Sequence, residues 1–135
     1  MKIVDLLKVE SIDLKAQPKD KAAALEHLIT LMESSGNLLD KDEYRACVLR
    51  REEEGSTGIG EGIAIPHAKT SAVKAPGLAA MLVKDGVDFD SLDGEPAKLF
   101  FLIAAPDTKD NVHLDVLSHL SMLLMNDDFR SELLN

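Results

Sequence analysis

Between Asp20 and Gly36, apolar residues fall at Leu25, Leu28, Ile29 and Met32. That i, i+3, i+4, i+7 spacing is one face of an amphipathic helix, which Gly36 stops. Asp40-Lys41-Asp42-Glu43 then has capping-box spacing with Asp40 as cap. It opens a second helix to about Glu53, with Tyr44, Cys47 and Val48 as its buried stripe. Beyond it the period changes to short apolar runs, and strands are predicted at Gly62 to Ile65, Leu78 to Lys84, Val87 to Phe89 and Lys98 to Ala104. The last run is nearly all apolar, as expected of a central strand covered on both faces. Leu92-Asp93-Gly94-Glu95-Pro96 reads as a turn. Near the N-terminus, Met1 to Leu7 suits a brief helical turn and Ser11 to Leu14 a short strand. A long helix is predicted from about Asn111 to Met125, striped by Val116, Leu117, Leu120, Leu123 and Leu124, and a short one from Asp128 to Leu134. Helices before, between and after apolar strands predict an α/β domain: three α/β/α layers around a mixed β-sheet.

With 135 residues, 45% of them hydrophobic, the chain can bury one full core. It is read as a single domain over residues 1–135. The net charge of −9 argues against nucleic acid, which needs a basic face, and suits a protein partner. The longest wholly apolar run, Leu99 to Ala105, is far short of a bilayer span, and no signal-peptide pattern opens the chain. A single cysteine allows no internal disulfide and fits a reducing, cytoplasmic compartment. Neither a thiolate metal site nor a bound cofactor is expected.

The chemistry concentrates at Ser56-Thr57-Gly58-Ile59-Gly60-Glu61-Gly62-Ile63-Ala64-Ile65-Pro66-His67. The glycines allow close approach and positive φ, and Pro66 sets the backbone beside the imidazole. The run leads into a strand and Pro66, whereas a dinucleotide fingerprint follows a strand and opens a helix; a P-loop's Gly-Lys-Ser/Thr ending is missing too. Ser56 and Thr57, beside Gly58, are either hydroxyl donors to an oxyanion or plain turn residues. Arg51 extends the inward stripe of the second helix, with Arg50 and Glu52 on more exposed bearings. Two readings fit Arg51: a guanidinium aimed at an anion, or a helix-end cation complementing the macrodipole. His113 sits on the inward stripe in the first turn of its helix, where it can meet phosphate oxygens or simply be a satisfied buried histidine. His27 and His119 are boundary residues, and Cys47 is a packing residue. A neutral imidazole at His67, an inward Arg51 and a second histidine at His113 together suit phosphoryl transfer, which chiefly needs positioning and positive potential.

Arg51-Glu52, Gly58 through His67, Val112-His113-Leu114 and Leu102-Ile103-Ala104-Ala105-Pro106 together resemble the fructose/mannitol-type (type 2) EIIA domain of the bacterial phosphoenolpyruvate:sugar phosphotransferase system. The resemblance covers essentially the whole chain. It implies a mixed sheet between helical layers and a phosphotransferase component using a phosphohistidine. It makes His67 the acceptor, through Nε2, of a phosphoryl group from phospho-HPr, which then passes to a cysteine of an EIIB domain, with membrane EIIC indirectly involved. Arg51 matches the family's active-site arginine and His113 its second histidine. Ala68-Lys69-Thr70 is closer to fructose-type chains than to mannitol-type ones. Related domains serve a nitrogen-regulatory branch, so the alternative output is a regulatory module whose phosphorylation controls partner binding.

Overall fold

The computed structural model describes residues 7–36, 38–60 and 62–107. Among the described residues, six strands form one mixed sheet: β1 (Leu7–Asp13), β2 (Gly58–Gly60), β3 (Ile63–Ala64), β4 (His67–Thr70), β5 (Gly77–Val87) and β6 (Ala97–Pro106). Two helices, α1 (Lys21–Ser34) and α2 (Lys41–Glu54), lie between β1 and β2 in the chain. The strand order is β1-β5-β6-β3-β2, with β4 also on β6.

Both predicted helices form with the expected caps. Asp20 accepts from the Ala23 N–H at 2.8 Å, and Asp40 from the Glu43 N–H at 3.2 Å. Each cap satisfies a backbone donor that the first helical turn would leave unpaired. Arg45 of α2 grips Glu26 of α1 with Nε and Nη2 at 2.7 and 2.8 Å, so the two helices are joined outside as well as through the core. That bidentate contact holds the Glu26 carboxyl below its ordinary range.

Leu25, Leu28, Ile29 and Met32 of α1 and Tyr44 and Val48 of α2 cluster with Ala79, Met81, Phe100 and Leu102 of the sheet. Successive strand residues point to opposite faces, so one parity of β6 meets these helices. Leu99, Phe101, Ile103 and Ala105, of the other parity, are buried too, outside that cluster. β6 is therefore covered on both faces, as its unbroken apolar run predicts. The two helices predicted beyond Asn111, with His113 and His119, lie outside the described residues, as do residues 1–6.

Three strand predictions change. β1 begins at Leu7, earlier than expected, and runs parallel to β5 at the sheet edge. β5 continues to Val87, so no separate strand spans Val87 to Phe89. The third change concerns His67. β3 and β4 run parallel to β6 in one uninterrupted register: Ile63 opposite Leu99, Ala64 opposite Phe100, His67 opposite Ile103, Thr70 opposite Pro106. They are one strand broken only at Ile65-Pro66, where proline has no N–H for a ladder. The Pro66 carbonyl still accepts from the Ile103 N–H at 3.0 Å. His67 thus opens a second strand segment, fastened to the sheet's central strand.

Candidate functional site

The end of α2 and the start of β4 enclose an open cavity of about 310 Å³, lined by Cys47, Arg50, Arg51, Glu54, His67, Ala68 and Lys69. His67 and Lys69 share the partly exposed face of β4, while Ala68 and Thr70 are buried. Among the described residues, the lining therefore carries Arg50, Arg51 and Lys69 against one carboxylate, Glu54. In a chain of net charge −9 this is a local reversal of sign, suited to an anion.

The imidazole is oriented by its own strand. His67 Nδ1 lies 3.0 Å from the Ile65 carbonyl oxygen. A carbonyl only accepts, so Nδ1 carries the proton and neutral His67 presents its lone pair at Nε2. Ile65 is anchored in turn, its N–H donating to the Thr57 carbonyl at 3.0 Å.

Arg51 shows the helix-end contact of its second reading and also lines the cavity. Nη1 donates to the Gly55 carbonyl at the α2 C-cap, at 2.8 Å, as a helix-end cation does. That bond fixes one arm of the fork while the residue lines the cavity with His67. Cys47 also lines the cavity and packs, half-buried, against the core. His27, off the site, pairs through Nε2 with Asp13 at 2.7 Å.

The glycine-rich loop is held through side chains. Ser56 Oγ donates to the Phe89 carbonyl at 2.6 Å and accepts from the Gly58 N–H at 3.0 Å. The Thr57 hydroxyl donates to the Glu52 carboxylate. Both hydroxyls are thus engaged in holding the loop. Gly62 has φ of +80°, which an L side chain adopts only with strain. Gly58 is needed for space: a Cβ there would lie 2.5 Å from Ser91 Oγ and 3.0 Å from Ser91 Cα. Gly58→Ala is expected to destabilise the fold by about 1–3 kcal/mol in a denaturant melt. Ser91→Ala should restore part of that loss, because it removes the nearer contact. Ser91 Oγ is buried and has no hydrogen-bond partner among the described residues, so its removal sacrifices nothing there.

Glu52 is the residue the hydrophobic pattern misplaces. It is buried, although its neighbours in a charged run suggest exposure. Tyr44, Val48 and Glu52 are the buried residues of α2, spaced by four, so the stripe that points to Arg51 also runs through Glu52. Its carboxylate lies 2.8 Å from Lys21 Nζ and accepts the Thr57 N–H at 3.1 and 3.3 Å.

Comparison with known proteins adds independent findings. The family described as "Phosphoenolpyruvate-dependent sugar phosphotransferase system, EIIA 2" matches residues 5–135. A fructose-specific EIIABC component of Bacillus subtilis is 48% identical over 134 residues, 99% of this chain; the chain spans only 21% of that protein. A fructose-specific EIIA component of Haloferax volcanii is 44% identical over 126 residues, covering 93% of this chain and 82% of the relative. Among solved structures, nitrogen regulatory protein IIA-Ntr from Neisseria meningitidis superposes with TM-score 0.88 at 31% identity, over 97% of this chain and 89% of that one. The Escherichia coli complex of enzyme IIAMTL with phosphorylated enzyme IIBMTL matches with TM-score 0.77 at 26% identity, over 96% of this chain and 98% of that one.

Proposed function

Because the chain belongs to the EIIA 2 family of the phosphoenolpyruvate-dependent sugar phosphotransferase system, we propose that it is a cytoplasmic phosphocarrier whose His67 takes a phosphoryl group from phospho-HPr and hands it to an EIIB domain during fructose-type uptake. The observation that carries this reading is the bond from His67 Nδ1 to the Ile65 carbonyl, which leaves Nε2 as the nucleophile. In the transfer, the Nε2 lone pair forms a bond to phosphorus as the donor's N–P bond breaks and its electron pair returns to the donor imidazole. His67 retains the Nδ1 proton, so the phospho-imidazole is cationic and the Ile65 carbonyl stabilises it. A cationic ring is a good leaving group, which keeps the phosphoryl group ready for a thiolate of EIIB. Arg51 supplies planar donors to the phosphoryl oxygens, with Lys69 and Arg50 adding positive potential around the cavity. The Ser56-Thr57-Gly58 loop, whose hydroxyls are engaged with Phe89 and Glu52, supports the site by holding Ile65. The family resemblance makes His113, which lies outside the described residues, the second histidine.

Incubation with phosphoenolpyruvate, enzyme I and HPr tests the proposal. It should load one phosphoryl group on His67, and a fructose-type EIIB and its membrane domain should convert it to fructose phosphate. Failure of the intact chain to take up phosphate would overturn the reading. A regulatory output is favoured by the likeness to a nitrogen regulatory protein; it would be recognised by label that loads on His67 and never reaches an EIIB.

Arg51→Lys is expected to slow uptake about tenfold to a hundredfold, because an ammonium cannot reproduce the planar fork that holds the Gly55 carbonyl with one arm and leaves the other arms for an anion. The unfolding free energy from a denaturant melt should change by less than about 0.5 kcal/mol, since the site is open to solvent. Equal rates would remove Arg51 from the transfer.

A further inference from the structure

Thr57 and Ile65 face each other across the β2–β3 pairing, continuing the register that sets Gly58 opposite Ala64. The Ile65 N–H donates to the Thr57 carbonyl at 3.0 Å. In an antiparallel hydrogen-bonded pair the exchange is mutual, and the Thr57 N–H would return to the Ile65 carbonyl. Here it is directed at the Glu52 carboxylate, 3.1 Å from one oxygen and 3.3 Å from the other. The Ile65 carbonyl instead receives His67 Nδ1.

We propose that Glu52 is a positioning residue for His67: by drawing the Thr57 N–H off the strand ladder, it reserves the Ile65 carbonyl for the imidazole. A free imidazole side chain in water favours the tautomer with its proton on Nε2, which has no lone pair there to attack phosphorus. Only a committed acceptor at Nδ1 reverses that preference, and Glu52 keeps this acceptor unshared. The carboxylate is built for the task. It is nearly enclosed, with 5% of its side chain exposed, and the Lys21 ammonium 2.8 Å away offsets the cost of burying its charge. Lys21 also lies 4.7 Å over the Phe89 ring, whose backbone carbonyl holds Ser56. The Thr57 hydroxyl donates to the same carboxylate, turning both Thr57 donors away from the strand. Glu52 follows Arg51 directly in α2, so one clasp fixes the helix end that carries the guanidinium and the loop that orients the nucleophile.

This role rests on the phosphocarrier reading, and its test is chosen to stand apart from it. The His67 tautomer is read by imidazole 15N NMR in unphosphorylated protein, with no donor present. Wild type should show the proton on Nδ1. Glu52→Met should shift the ring toward the Nε2–H tautomer and lower kcat about tenfold to a hundredfold, with KM for phospho-HPr unchanged. Glu52→Gln, whose amide oxygen can still accept the Thr57 N–H, should restore most of both. Lys21→Met, which leaves that acceptor in place, should lower stability and leave the tautomer alone. A folded Glu52→Met protein with the wild-type tautomer and kcat would overturn the proposal. Should Glu52→Met not fold, wild type itself decides. A scalar coupling across a hydrogen bond from Thr57 15N to the Ile65 carbonyl 13C would refute the diversion, and one to the Glu52 carboxyl carbon would support it. If wild type takes up no phosphate, the phosphocarrier reading fails while the tautomer comparison still reads the Glu52 link.

Discussion

His67→Gln is expected to abolish phosphoryl uptake, lowering the rate by at least about 10⁴-fold, because no other described side chain in the cavity offers a nitrogen lone pair for an incoming phosphoryl group. Glutamine fills similar space and its amide can donate to the Ile65 carbonyl, so the strand segment stays in register. Unfolding free energy should change by less than about 1 kcal/mol, since the residue is only half-buried. The check is intact mass after incubation with phosphoenolpyruvate, enzyme I and HPr, followed by peptide mapping. A phosphorylated His67→Gln protein would move the acceptor elsewhere, and the map would show where.

The second large effect is on the fold. Tyr44 is fully buried on α2, and its hydroxyl donates 2.9 Å to the carbonyl of Ile103, the residue that pairs with His67. Tyr44→Ala should cost about 3–5 kcal/mol, from the lost ring and the cavity left behind. Tyr44→Phe should cost about 1–2 kcal/mol, the share of one buried hydrogen bond. Burial pushes the Tyr44 phenol well above its usual pKa of about 10. The folded state therefore holds that proton more tightly than the unfolded chain. Its stabilising contribution is complete below pH about 10 and is lost progressively as pH rises above it. Tyr44 is the only tyrosine in the chain, so tyrosinate absorbance reports this group alone. It should appear together with the loss of circular dichroism, and Tyr44→Phe should delay alkaline unfolding. Tyrosinate forming well before unfolding would contradict the burial.

Both α1 and α2 were legible because their caps and stripes are local signals, each contained within a few turns. β6 was legible because a strand covered on both faces needs no alternation. β4 was hidden. His67-Ala68-Lys69-Thr70 has no bulky hydrophobe, and its strand character comes from pairing with Ile103 through Pro106, which no local window contains. Pro66 also reads as a strand terminator, whereas here it interrupts a ladder that resumes in the same register. Glu52 was hidden for an electrostatic reason. A charge buried on a helix stripe is stable only with partners, and Lys21 and Thr57 come from other parts of the chain. Arg51 and His67, which line one cavity, could be singled out from residue type and spacing. The clasp that aims the histidine could not, because it consists of bonds between segments.

The parallel pairing of β4 with β6 also bears on when the site can exist. Arg51 and His67 leave the ribosome before Ala97–Pro106, the strand to which His67 is fastened. Parallel partners must wait for the chain to return, and closing such distant contacts is slow. A nascent chain that displays the whole glycine-rich loop still has no edge on which to lay β4. On the proposed function, the chain would become chargeable only once its central strand is in place, so that synthesis itself would separate the making of the nucleophile from its use.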